Sequence, residues 1–172
     1  PLPEAQVDRF MMKILVDYPT DEEEFVIVQR VTGPAVTVNA VATTDQLAAL
    51  QRACRSVYVD PSLIQFAVRL VSATRTPEKH DLKELTRFIT YGASPRASIN
   101  LTEGSRALAM LRGRSYVLPE DMADLVPDVL RHRLVLSYEA LSEGLSADAI
   151  IAKITAKIPT PAKPLEHEKL AA

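Results

Sequence analysis

Residues Tyr91–Leu101 read YGASPRASINL, and this stretch decides how the chain is understood. Ser94 followed by Pro95 marks a helix start. A serine hydroxyl can cap a free backbone N–H, and proline suits the first helical position, where no N–H is needed. Arg96 comes next. The first turn of a helix carries partial positive charge, so a cation there costs roughly 0.3–1 kcal/mol and an acid is the ordinary choice. Two readings of Arg96 follow. It is an exposed arginine paired with a nearby acid, or it is an anion contact. A helix N-terminus already attracts phosphate through its free N–H groups. A guanidinium adds a planar, permanently charged fork.

Working outward, the helix opened by Ser94 should run from Pro95 to about Leu111 and stop at Gly113. Beyond it, YVLPEDMADLVPDVLRHRLVL (Tyr116–Leu136) predicts another helix, with a kink or short break at Pro127. Ser146 and Asp148 open a last helix carrying Ile150, Ile151 and Ile154. Upstream, Asp60-Pro61 begins a helix with Leu63, Ala67, Leu70 and Val71 as its apolar stripe. Thr74–Gly92 is polar at first and reads as a loop. Thr20 with Glu23, and Thr43 with Gln46, each form a capping box. The first helix ends at Gly33-Pro34, and residues 34–43 are extended. Arg9–Asp17, RFMMKILVD, places Phe10, Met12, Ile14 and Val16 on one face, the period of a largely buried strand. A lone strand is not stable, so its partners should lie outside these residues. Pro1–Asp8 reads as a short helix. After residue 20 the pattern is about six helices and little strand. The tail from Pro159 is proline-rich, then polar, and reads as loose.

With 47% apolar and 24% charged residues in a chain of 172, the composition is that of a globular protein. A net charge of −2 argues against a broad nucleic-acid or membrane patch. No apolar run approaches the roughly 20 residues of a membrane span, and no signal peptide is visible. Cys54 is the single cysteine, so no internal disulfide forms and a cytoplasmic setting fits best. The chain opens without methionine on PLPEAQVDRF and reads as a C-terminal fragment of a longer protein.

The sequence holds no GxxxxGK[ST] phosphate loop and no histidine pair at metal-ligand spacing. His80, His132 and His167 sit among charged residues and read as surface histidines. Cys54 reads as a small core residue on an apolar helical face. Arg131 and Arg133, flanking His132, form the nearest thing to a basic recognition patch and read as a solvated or subunit-contact face. Arg9 has two readings: an ion pair with Asp8 or Glu4, or an arginine finger that stabilises charge in a phosphoryl-transfer transition state.

LPEAQVDRFMMKILVDYPTDEEE (Leu2–Glu24) and YGASPRASINL, in that order, together with YVLPEDMADLVPDVLRHRLVLSYEA (Tyr116–Ala140), resemble the C-terminal part of the MoxR-type AAA+ ATPases. The likeness covers Pro1 to about Lys157. It implies a mainly α fold, a helical-bundle lid domain preceded by a helix–strand–helix remnant of an αβα nucleotide-binding core. The implied boundaries are 1–33 for the core remnant, 34–60 for a linker and connecting helix, 61–157 for the lid and 158–172 for the tail. It implies a parent that binds and hydrolyses ATP with Mg2+ as a homo-oligomeric, hexameric ring. That ring would drive chaperone-like remodelling or maturation of other proteins, with von Willebrand A-domain proteins as partners. Arg9 matches the family's arginine finger, a catalytic role. Arg96 matches the second sensor, which binds the nucleotide's phosphates. No metal ligand, nucleic-acid contact or membrane span is implied for these residues, which should bind no nucleotide and hydrolyse no ATP on their own. Two alternatives are the lid of another AAA+ ATPase, such as a magnesium chelatase subunit, and a non-catalytic helical interaction module.

Overall fold

The computed structural model describes residues 3–161. Helix α1 spans Glu4–Val7, α2 Asp21–Thr32 and α3 Thr44–Ser56. Helix α4 spans Pro61–Arg75, α5 Pro95–Leu111 and α6 Pro119–Leu130. Helix α7 covers Tyr138–Ser142 and α8 Ala147–Lys157. Strand β1, Ile89–Tyr91, pairs antiparallel with β2, Val135–Leu136. The fold is mainly α, a helical lid after a core remnant. Among the described residues, no helix is long and apolar enough to cross a membrane.

The helix starts follow from side-chain caps. Thr20 accepts from the Glu23 N–H, and Thr43 from that of Gln46, each within a complete capping box. Asp60, Ser94 and Ser146 cap α4, α5 and α8. Helices α4, α5, α6 and α8 enclose one apolar core, with Phe66, Leu70, Leu101, Met122, Ile150 and Ile154 at its centre. The core reaches from Val57 to Ile158.

The structure departs from the sequence expectations in several places. No strand forms over residues 9–17. The alternating period is present, but no neighbouring strand supplies a ladder among the described residues, and Phe10, Ile14 and Val16 stay exposed. Met12 packs against the core. Helix α2 forms but buries nothing, with Phe25 and Val31 in the open. The loop expected over 74–92 is ordered. Leu82, Leu85 and Phe88 are buried at a spacing of three, which suits the two 3-10 turns at Pro77–His80 and Lys83–Leu85, and β1 follows. Helix α6 runs unbroken through Pro127, which lies in its last turn and so removes one hydrogen bond near the end. Cys54 is only partly buried, because α3 lies at the edge of the core. Most of the proline-rich tail lies outside the described residues.

Two contacts fix the lid around α5. At its C-terminal end the fully buried Asp121 carboxylate accepts from Arg114 at 2.6 and 2.5 Å, from Arg112 at 2.7 Å and from the Leu118 N–H at 2.8 Å. Burial pushes the Asp121 carboxyl up, but these donors together hold it below its ordinary value. At the N-terminal end, Gly92 lies against the backbone of α4. A Cβ on residue 92 would stand 2.3 Å from the Thr74 carbonyl oxygen. The Thr74 hydroxyl in turn accepts from the Ala93 N–H at 2.9 Å. A side chain at 92 must therefore push the start of α5 off α4. Gly92→Ala should cost about 2–3 kcal/mol by overpacking, read as a lower melting temperature, whereas an unchanged midpoint would show that the backbone yields freely.

Candidate functional site

The site forms where the turn after α1 meets the start of α5 and the turn after α6. Its centre is Asp8. The Ser94 hydroxyl donates to both oxygens of the Asp8 carboxylate, at 3.0 and 2.8 Å, while accepting from the Arg96 N–H at 3.2 Å. Arg96 Nη1 stands 3.4 Å from the same carboxylate, with its side chain 51% exposed. Arg133 Nε donates to Asp8 Oδ1 at 3.2 Å, and its side chain is fully buried.

The acid missing from the first turn of α5 is therefore present, but it comes from 88 residues upstream. Asp8 sits at the positive end of the helix and offsets the charge of Arg96. The bond is long and the arginine half open to solvent, so this is a loose contact and not an internal lock. The N–H groups of the first turn are occupied as well. Ser94 Oγ takes that of Arg96, and the Ser94 carbonyl takes that of Ala97 at 3.0 Å. Whatever anion-binding capacity this helix end has thus resides in the Arg96 guanidinium more than in backbone N–H groups.

Arg9 follows Asp8 in the turn after α1 and is exposed. The local ion pair with Asp8 does not form, because that carboxylate is turned toward Ser94, Arg96 and Arg133. Two guanidinium groups, those of Arg96 and Arg133, thus meet the Asp8 carboxylate, while Arg9 is its exposed neighbour in the chain. Of the two cations at Asp8, Arg96 faces solvent and Arg133 is buried.

Arg131 and Arg133 do not form a solvated face, and His132 is not an exposed surface histidine. All three grip residues 8–13. Arg131 Nη1 donates to the Lys13 carbonyl at 2.8 Å, and its Nε pairs with Asp148 at 3.0 Å. His132 Nε2 lies 3.1 Å from the Phe10 carbonyl, which requires the Nε2–H form of the ring. Arg133 reaches the carbonyls of Asp8, Phe10 and Met11. These contacts span more than a hundred residues of sequence, so no local pattern announces them. The triplet itself was the only signal. His80 is also half-buried, with Nε2 3.2 Å from the Ser72 hydroxyl, and His167 lies outside the described residues.

A cleft of about 580 Å³ opens beside this cluster, lined by Val7, Asp8, Gly92, Ser94, His132 and Arg133 among others. Among the described residues no group of three or more His, Cys, Asp or Glu side chains could hold a metal ion.

Burial lowers the pKa of His132 below its ordinary value, helped by the Arg133 charge and opposed by the Phe10 carbonyl and the more distant Asp8. A lowered pKa means that the folded state refuses a proton which the unfolded chain accepts below about pH 6.5. Stability should therefore fall as pH drops from about 6.5 toward the lowered folded value. His132→Gln should flatten that part of a plot of melting temperature against pH; an equally steep profile in the variant would assign the dependence to another group.

Comparison with known proteins agrees with this architecture. Residues 82–154 match the AAA lid domain family. The chain is 41% identical over 161 residues to Chaperone MoxR1 of Mycobacterium tuberculosis, covering 94% of this chain and 43% of that protein. It is 34% identical over 175 residues to Protein MoxR of Paracoccus denitrificans, covering 94% of this chain and 51% of that protein. The crystal structure of an ATPase candidate from Cytophaga hutchinsonii superposes with a TM-score of 0.89 at 39% identity, over 94% of this chain and 50% of that one. The chain thus spans about half the length of the proteins it matches. Helical lid, motif order and these likenesses agree, and the chain belongs to the MoxR-type AAA+ ATPases as a C-terminal segment of that family.

Proposed function

We propose that these residues form the phosphate-sensing and lid portion of an ATP-hydrolysing hexameric ring that acts as a chaperone on other proteins in the cytoplasm. The observation that supports this reading is the half-exposed Arg96 guanidinium at the start of α5, held only loosely by Asp8, the chain neighbour of the exposed Arg9. An anion that displaces the Asp8 carboxylate from Arg96 would meet that guanidinium directly. A surface ion pair of this kind is worth about 0–1 kcal/mol. Arg96 can therefore exchange Asp8 for a phosphate at little cost, and Asp8 keeps Ser94 and Arg133 when it does.

In this reading Arg96 donates to the phosphate oxygens of ATP and links nucleotide to lid through α5. Arg9 donates to the transferring phosphoryl group and stabilises the charge that builds there, the role of an arginine finger. Magnesium would neutralise phosphate charge; among the described residues no group of three or more His, Cys, Asp or Glu side chains is placed to hold it. The phosphate loop is likewise absent from the sequence. The exposed apolar side chains of residues 10–31 support packing against a nucleotide-binding core in the same protein. A von Willebrand A-domain partner is the proposal inherited from the family resemblance.

Two tests follow. The chain alone should show no ATP turnover above background; measurable hydrolysis by these purified residues would refute that. In the complete protein, Arg96→Ala and Arg9→Ala should each lower turnover by about 10²–10³-fold, the scale of losing one donor to a developing charge, while leaving the melting temperature nearly unchanged. Mixing Arg9→Ala subunits with phosphate-loop mutants should restore part of the activity if the finger acts on a neighbour. Wild-type turnover in either single variant would remove that residue's role.

A further inference from the structure

Arg133 is the fully buried arginine of the cluster, and all five of its N–H donors are used. Nε–H goes to Asp8 Oδ1 at 3.2 Å. Nη2 serves the Asp8 carbonyl at 3.0 Å and the Phe10 carbonyl at 2.5 Å. Nη1 serves the Met11 carbonyl at 3.2 Å and the carbonyl of Val129, one turn back in α6. The carbonyls of residues 8 and 10 are those on either side of Arg9. One lid guanidinium therefore holds the backbone on both flanks of Arg9 and its neighbouring carboxylate, while the Arg9 side chain stays exposed. His132 adds a second contact to the Phe10 carbonyl, and Asn100 of α5 reaches that of Met11 at 3.4 Å.

We propose that Arg133 is the positioning residue for Arg9: it fixes the turn that presents Arg9 and makes the aim of that side chain depend on where the lid sits. The proposal rests on the reading of Arg9 as the finger. An anchor tied only to the fold would need one or two of these bonds anywhere along residues 3–17. Here the bonds concentrate on the backbone that brackets residue 9. Lysine cannot substitute, since a single ammonium does not span three carbonyls and a carboxylate.

The test uses the full-length ring with Arg133→Gln, Arg133→Lys, Arg9→Ala and the double variant Arg9→Ala/Arg133→Gln. The expected result for both Arg133 variants is a kcat lowered by about tenfold to a hundredfold, the scale of a misplaced catalytic group, with KM for ATP within about twofold of wild type. The double variant should turn over no more slowly than Arg9→Ala alone, because the two residues act on one step. Hydrogen exchange should rise about tenfold or more at amides 9–13 and stay unchanged in α4 and α5. Wild-type kcat in Arg133→Gln beside an impaired Arg9→Ala would overturn the positioning role. So would loss of protection throughout α4–α6, which would make Arg133 merely a structural residue. Wild-type turnover in Arg9→Ala would overturn the finger reading and this role with it. That case is recognisable because amides 9–13 would still loosen in Arg133→Gln.

Discussion

A buried guanidinium is costly unless every donor finds an acceptor, and the cost is several kcal/mol when one partner of a buried ion pair is lost. Arg133 meets that demand by drawing residues 8–11 against the lid. Much else follows from this one constraint. Asp8 must lie beside the start of α5, where Ser94 can reach it. The turn after α1 must face the turn after α6. The exposed stretch that continues through Ile14 and Val16 is tethered at its beginning, by Arg133, His132 and Arg131, before it leaves the core.

The same carboxylate treats its two arginines differently. Arg133 has lost its water and is bound to Asp8 by more than charge. Arg96 touches Asp8 from the solvent side and remains hydrated. Solvent exposure, and not the identity of the side chain, divides the labour between a group that holds and a group that can leave. This also explains why a cation is tolerated in the first turn of α5. Judged along the helix alone, Arg96 is misplaced. Judged with its three-dimensional neighbours, it sits next to an acid.

What the sequence made legible was whatever is encoded locally. Thr20, Thr43, Asp60, Ser94 and Ser146 each announce a helix start, and each caps one in the structure. Apolar spacing located the faces of α4 and α8 that form the core. Failures came where a local period needed a distant partner. The alternation at Phe10, Met12, Ile14 and Val16 has the form of a strand, but a strand exists only as half of a ladder. Leu82, Leu85 and Phe88 were overlooked because a spacing of three between charged residues resembles neither helix nor strand. Pro127 was weighed as a mid-helix breaker, although its place in the last turn makes it tolerable. At the site, Arg9 and Arg96 were picked out from their motifs. Arg131, His132 and Arg133 were noticed and misjudged, because their acceptors are backbone carbonyls over a hundred residues away, and carbonyls leave no signature in a sequence.

The length of that separation bears on the order in which the molecule assembles. Helices α4, α5 and α6 meet across connections far shorter than the chain between α1 and α6, so their packing closes smaller loops, whereas joining Asp8 to Arg133 closes a loop of 125 residues. Loop-closure entropy grows with length and must be offset before distant contacts reward it. The turn bearing Arg9 should thus be the last piece to dock onto an already folded lid and the first to detach from it. A segment with that history can come loose without melting the domain that holds it, so it behaves as a small unit of its own at the edge of the fold.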